Sequence, residues 1–405
     1  MYLKPSVLII AYAFPPENVV GALRPFRFAK YLQRLGYDVS ILTASAQNGF
    51  QHSFPICVIE PKGLTFWDKV LRKTLLPGEI GFSWVPRAVQ EGKKWLIQRH
   101  DTVLFSTSPP ITTHLCALWL KRAFGLRWVA DFRDPLVGNP GLKIHGGLFA
   151  ASVFERMIFS SADFCIANTD VVAKRWEKRY PKFSKKFSSI WNGFDPDEDI
   201  APSAIPARTY RELLHVGEVY GGRHPGVLFS SVLRLIHQGA LDPKRVKIRL
   251  IGELEQKTIS DRRTFDRLLE LGSLECVTEV PASKEGLRIL SEADSLLLVD
   301  WTGQCAGLQV PSKLYTYVRI GRPILALTTK GSPVDMILTN SGIPYRCLYP
   351  EMSPDQVDRI VLEFFQLPTN PATPSEWFWK RFNVASQTET LSVILNSMAH
   401  FLIRF

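Results

Sequence analysis

Residues 310–327 read VPSKLYTYVRIGRPILAL, and the rest of the chain is organised around this stretch. Pro311-Ser312 opens a turn, and the apolar Leu314, Tyr317, Val318 and Ile320 follow at helical spacing. Gly321 stops that helix, because only glycine is at ease in the left-handed conformation past a helix end. Pro323 prevents its continuation, and Ile324 to Leu327 reads as a short buried strand. Lys313 falls in the first turn, beside unpaired backbone N–H groups and the positive end of the helix dipole. A cation is disfavoured there unless an anion binds as well. Lys313 therefore reads either as a phosphate ligand or as a solvated lysine at a helix start.

The chain around it has 405 residues, which suits two domains rather than one core. Hydrophobic residues make up 46% and charged residues 21%, as in a globular protein. No apolar run is long enough to span a bilayer, and the run Val7 to Ala13 reads as a first strand, so a cytoplasmic protein is expected. The six cysteines form no CxxC pair and lie mostly in apolar contexts, which predicts reduced core thiols. The histidines form no HxxxH or HExxH pair, so neither a metal nor any other cofactor is expected. Residues 1–199 carry 26 Lys and Arg against 17 Asp and Glu, whereas residues 200–405 carry 23 against 21. A basic first half suggests an anionic partner, such as a membrane surface or a phosphorylated acceptor.

Ser6 to Tyr12 is apolar and β-like, residues 14–21 form a loop, and Arg24 to Leu35 has helical spacing. Gly36 ends that helix and Tyr37 to Thr43 is the second strand. Strand, helix, strand is a βαβ unit and implies a parallel sheet. The loop is not GxGxxG, which excludes the dinucleotide fingerprint. Basic amphipathic segments at 62–73 and 84–99 suit either a membrane surface or a solvated helix face. Asp101 to Ser106 is a further strand. Trp128 to Phe132 is the next, and it delivers Asp131, Arg133 and Asp134 to its carboxyl end, where open α/β sheets bind ligands. That cluster reads as a site or as strand-end ion pairs.

Lys174 to Lys186 holds seven basic residues and one acid, interleaved with Trp176, Tyr180 and Phe183. No nucleic-acid-binding pattern surrounds it, so nucleic acid is not an expected partner. Pro196 to Pro206 reads as a linker. Leu213 to Gly217, Val246 to Gly252, Val277 to Val280 and Ser295 to Asp300 continue the strand pattern in the second half. After the first of them, Gly221 and Gly222 precede Arg223 and leave backbone N–H groups to approach an oxyanion. Residues 376–405 read as a helical, aromatic tail.

Several of these stretches together resemble the GT-B glycosyltransferases, in particular the retaining, family-4-like group. The donor-site helix there is near V-P-x-K-L-x-E-Y-x-x-x-G-x-P-I-L, and Val310, Pro311, Lys313, Leu314, Tyr317, Gly321, Pro323, Ile324 and Leu325 match it. The family's glutamate falls on Thr316. The first loop is near F-P-P-E-x-x-V-G-A-x-R-P, matched by Phe14 to Glu17, Val20 to Ala22, Arg24 and Pro25. STSPP and VADFRDP resemble the acceptor-side motifs, Asn192-Gly193-Phe194-Asp195 the segment before the linker, and Glu218 to Arg223 the G-x-x-Y-x-G-R loop.

The resemblance implies two Rossmann-like, doubly wound α/β domains facing an interdomain cleft. The expected limits are 1–195 for the acceptor-side domain, 196–208 for the linker, 209–375 for the donor domain and 376–405 for a helix crossing back to the first domain. It implies transfer of a sugar from a nucleotide-diphosphate donor to an acceptor hydroxyl, with retention and without an essential metal, in cell-surface polysaccharide or glycolipid synthesis. Asp131, Asp134, Arg223 and Lys313 are the implied catalytic residues. Gly21, Tyr220, Gly221, Gly222, Val280, Pro281, Gln304, Leu314 and Thr316 join Arg223 and Lys313 at the donor. Glu17, Arg24, Ser108 and Arg133 face a sugar, polysaccharide or lipid-linked acceptor. The competing readings are a non-catalytic GT-B domain, which Thr316 favours, and a sugar-nucleotide epimerase.

Overall fold

The computed structural model describes residues 4–15, 20–45, 53–61, 66, 69–70, 80–97, 99, 101–139, 147–279 and 283–399. The chain divides into two compact units, one of residues 1–196 with 382–405 and one of residues 197–381.

In the first unit the chain runs β1 (Ser6–Ala13), α1 (Val20–Arg34), β2 (Val39–Ser45), β3 (Ile56–Val58), α2 (Trp84–Leu96), β4 (Thr102–Ser108) and α3 (Thr112–Phe124). It continues through β5 (Arg127–Phe132), α4 (Gly147–Ser161), β6 (Phe164–Ala167), α5 (Asp170–Arg179), a 3₁₀ turn at Pro181–Lys186 and β7 (Phe187–Ser189). Among the described residues these strands form one parallel sheet of seven, in the order β3-β2-β1-β4-β5-β6-β7. Its central strands β1 and β4 are buried on both faces, and β1 accordingly reads as an apolar run from Val7 to Ala11.

The second unit repeats the plan with β8 (Arg211–Val216), α6 (Gly226–His237), β9 (Val246–Ile251), α7 (Arg262–Glu270), β10 (Leu274–Val277), α8 (Ser283–Ser291) and β11 (Ser295–Val299). Then follow α9 (Lys313–Ile320), β12 (Ile324–Leu327), α10 (Pro333–Asn340), β13 (Tyr345–Leu348), α11 (Pro354–Gln366) and α12 (Glu376–Phe382), after which α13 (Val384–Ala399) belongs to the first unit. The described strands form a parallel sheet of six, ordered β10-β9-β8-β11-β12-β13. In each sheet the first strand of the unit has its successors on both sides. The reversal opens a crevice at the carboxyl ends of β1 and β4, and of β8 and β11.

The helix in residues 310–327 spans Lys313–Ile320, and Gly321 ends it at φ 81° with its N–H on the Tyr317 carbonyl. A side chain at Gly321 is excluded twice, because an added Cβ would also sit 2.2 Å from the Ala372 carbonyl oxygen.

Three expectations shift. The strand expected at Val277 to Val280 is Leu274–Val277. The segment at 62–73 falls largely outside the described residues. The tail is two helices rather than one, because Asn383 and Phe194 form a parallel bridge, in which Phe194 N–H donates to Phe382 C=O and Val384 N–H to Phe194 C=O. Beyond that break, Val384, Leu391 and Leu395 enter the apolar core of the first unit beside Phe28, Tyr37 and Val103. Of the cysteines, all six are free, and Cys116, Cys165 and Cys347 are buried. Cys276 is exposed on β10, where its strand turns a face to solvent, and is no core residue.

Candidate active site

In the first unit the residues at the crevice of β1 and β4 mostly hold one another. Arg24, buried in α1, pairs with Asp131 at the end of β5 through Nη2 at 2.7 Å and Nε at 3.0 Å. It also donates to the carbonyls of Ile190 and Trp191, each at 2.8 Å. The second Asp131 oxygen accepts from Thr107 Oγ1 at 2.7 Å, and the carboxylate has no exposed surface. Asp131, expected as a catalytic carboxylate, is here enclosed by a guanidinium and a hydroxyl in an internal ion pair, and Arg24, expected at the acceptor, has its donors turned inward.

Arg133 donates to the Gly21 carbonyl at 2.5 Å and to the Pro109 carbonyl. It thereby ties the start of α1 to the turn after β4, and an added Cβ at Gly21 would lie 3.2 Å from Arg133 Nη2. Asp134 and Ser108 instead line a small pocket with Pro109, Ile111, Pro135, Leu136 and Asn139. The loop forming its far wall is held by Glu155 on α4, which accepts from Val137 N–H at 3.2 Å and from the Tyr180 hydroxyl at 2.9 Å. Burial raises the Glu155 carboxyl to about 7.

In the second unit the loop after β8 and the helix α9 converge. The Lys313 ammonium donates to the Val216 carbonyl at 2.8 Å and lies 3.0 Å from Nε2 of the buried His215. It rests on the backbone of Gly217, whose φ is 112° and where a Cβ would come within 2.7 Å of Nζ. Burial, and then the nearby Arg223 charge, pull Lys313 down to about 7, against the opposing pull of Glu218. Arg223 is buried between aromatic rings, its guanidinium carbon 4.8 Å from the Tyr220 centroid and 5.5 Å from that of Trp301. Among the described residues no carboxylate pairs with it, and its Nε has no hydrogen-bond partner. Trp301 in turn lies against the bare backbone of Gly221 and Gly222, where added Cβ atoms would approach it to 2.5 and 2.8 Å.

One expectation fails here. The Gly221 N–H is not open to an oxyanion, since it donates to Glu255 Oε2 at 2.8 Å. Asp300, at the end of β11, accepts from Thr328 Oγ1 at 2.9 Å, and its other oxygen is buried without a hydrogen-bond partner. Burial lifts it to about 6. On α9, Leu314 is fully buried and Thr316 half-buried. Gln304 lies on a 3₁₀ turn, Gly303–Cys305. Glu17, Val280 and Pro281 lie outside the described residues.

Two cations, Lys313 with its proton affinity lowered and Arg223 without a carboxylate partner among the described residues, thus lie at the crevice of a doubly wound sheet. Residues 26–198 match the model of Glycosyltransferase Family 4. A protein of Pseudomonas aeruginosa named "Probable glycosyltransferase WbjE" is 26% identical over 285 residues, 67% of each chain. The chain has the GT-B fold, and its first half is similar to glycosyltransferases. Its fold is shared with HepE of Anabaena, solved in complex with UDP and glucose, at a TM-score of 0.57 and 14% identity over 98% of each chain. It is shared also with the catalytic domain of starch synthase IV of Arabidopsis thaliana, solved with ADP and acarbose, at 0.60 and 11% identity over the whole of both chains.

Structure thus brings together Lys313, Arg223, Tyr220, Gly221 and Gly222 in one unit, and Ser108 and Asp134 in the other. Sequence reading missed His215, Trp301 and Asp300 of the second unit and Glu155 of the first. His215 carried one usable signal, a histidine inside an apolar strand immediately before a glycine.

Proposed function

We propose that this protein moves a sugar, with retention, from a nucleoside-diphosphate donor to an acceptor hydroxyl, and that the donor diphosphate binds at Arg223 and Lys313. The observation that carries the reading is a buried guanidinium without a carboxylate partner among the described residues, beside a half-buried ammonium. Burying such charges is costly unless something neutralises them. A diphosphate does so, and its charge grows as the sugar–oxygen bond breaks, so fixed cations stabilise the transition state more than the ground state. Two cations provide this without a metal. The proteins of similar fold that were solved with UDP and with ADP are consistent with such a donor.

Asp134 and Ser108, rather than Asp131, are the acceptor-side groups in this reading, because both line a pocket whereas Asp131 is enclosed by Arg24 and Thr107. The acceptor belongs to a polysaccharide or glycolipid at a membrane, where the protein sits peripherally. The support is on α4 and α5. Phe149 is 80% and Val153 49% exposed on one stripe of α4, and Arg179 reaches across to Ser152 beside them. Lys174, Arg175, Lys178, Lys182 and Lys185 are exposed next to that stripe. Apolar side chains rimmed by cations suit the interface of an anionic bilayer.

The test is Arg223→Ala, assayed for donor turnover and for binding of UDP, ADP, GDP and pyrophosphate. Charge-assisted hydrogen bonds contribute about 1.5–3 kcal/mol each, so at least a tenfold loss is expected in a folded variant. Unchanged binding overturns the site. A second reading, a non-catalytic GT-B domain that binds a glycan or a partner, is favoured by Thr316 alone, and a wild type that binds none of these nucleotides would leave it standing.

A further inference from the structure

We infer that His215 is a positioning residue for this donor site, a neutral imidazole that aims the Lys313 ammonium while leaving its charge for the ligand. The inference rests on the donor reading above. His215 sits near the end of β8 and is 1% exposed. Its Nδ1 lies 2.9 Å from the Leu297 carbonyl of the neighbouring strand β11. A carbonyl only accepts, so Nδ1 carries the proton and Nε2 keeps its lone pair. That lone pair lies 3.0 Å from Lys313 Nζ. The sheet therefore fixes the tautomer, and the tautomer fixes the lysine.

An ammonium has three N–H donors. His215 takes one, the Val216 carbonyl a second, and the backbone of Gly217 leaves room for Nζ to sit where it does. One donor is left for an anion. The choice of acceptors matters as much as their number. A carboxylate at position 215 would cancel the lysine's charge and compete with the phosphate. Imidazole and carbonyl are dipoles, so they hold the amine without neutralising it. The charged groups facing this pair are Arg223, which opposes protonation of both, and Glu218, which favours it on Lys313. His215 itself is held neutral by its burial and then by the Lys313 charge. Because Lys313 titrates near 7, ligand binding must draw a proton onto it at higher pH. His215, as an acceptor for the protonated form, sets where that happens.

The experiment is the pH profile of binding, with pyrophosphate and UDP as probes, in the wild type, His215→Leu and His215→Gln. The wild type is expected to lose affinity as pH rises through about 7 to 8. His215→Leu removes the acceptor and should weaken binding about tenfold and move the midpoint to lower pH. His215→Gln, whose amide oxygen can accept, should recover part of both. For donor turnover kcat should fall as well as KM rise, because Lys313 meets the charge that grows on the leaving diphosphate. A folded His215→Leu with the wild-type midpoint and affinity overturns the inference. If the leucine variant does not fold, ¹⁵N NMR of the wild-type imidazole decides. A neutral ring protonated on Nδ1 throughout the titration supports it, and an Nε2-protonated ring overturns it. A wild type that binds neither probe overturns the donor reading, and this inference with it.

Discussion

The depressed proton affinity of Lys313 makes a stability prediction that does not depend on activity. Lys313→Met keeps the length of the side chain and removes the charge. Below pH 7 the lysine is protonated both in the folded protein and in the unfolded chain, so the cost of burying it is fully present. Between 7 and the ordinary 10.5 the unfolded chain holds a proton that the folded site has released, so the folded state gains stability as pH rises. One proton corresponds to about 1.4 kcal/mol per pH unit. From about pH 7 to pH 9 the ceiling is therefore about 2.7 kcal/mol, which solvent access to a half-buried amine reduces to about 1–2 kcal/mol. The methionine variant has no such slope. It does lose hydrogen bonds to Val216 and His215, but His215 is neutral throughout this window, so that loss is a constant offset. Urea unfolding of both proteins at a series of pH values gives the difference directly, and titrations shared by the two cancel. The wild type should gain on the variant as pH rises, and saturating pyrophosphate should flatten the gain by keeping Lys313 protonated. Parallel curves without ligand would refute the argument that Lys313 is a buried cation awaiting an anion.

Asp131→Asn should leave the Arg24 guanidinium buried without a counter-charge and cost about 3–5 kcal/mol. That appears as a fall of roughly 6–20 °C in the melting of the first unit, whereas lost turnover at unchanged stability would restore Asp131 as a base. Thr316→Glu adds a carboxylate on α9 that can accept from both ribose hydroxyls. It should tighten UDP or ADP by about 1–3 kcal/mol and leave pyrophosphate alone, and equal effects on all three would remove the ribose from that position. Phe149→Asp with Val153→Asp should abolish co-sedimentation with anionic vesicles while leaving soluble-donor binding intact, and undiminished co-sedimentation would reject α4 as the contact.

What sequence could and could not reveal follows from the range of the interactions. The run at 310–327 was legible because helix spacing, a C-terminal glycine and a following proline all act within a few residues. The parallel sheets followed from repeated strand and helix patterns. The edge strands β3, β7 and β13 are only three or four residues long and carry too little pattern to be seen. At the site, residue types were legible but partners were not. Asp131 at a strand end looks the same in sequence whether it faces a ligand or Arg24, which lies 107 residues away. Likewise nothing near Gly221 announces that Glu255 already holds its N–H.

The return of the chain to its first unit has a consequence for how the protein is made. Residues 197–381 are continuous and can complete their own core as soon as they leave the ribosome. The first unit cannot, because Val384, Leu391 and Leu395, which close its core, are synthesised only after the whole of the second unit. Early emergence therefore does not mean early folding. While the second unit is being made, the N-terminal sheet waits with part of its apolar face uncovered, open to chaperones or to a neighbouring chain. Cutting the chain back to about residue 383 should harm the N-terminal half, far from the cut in sequence, and spare the half next to it.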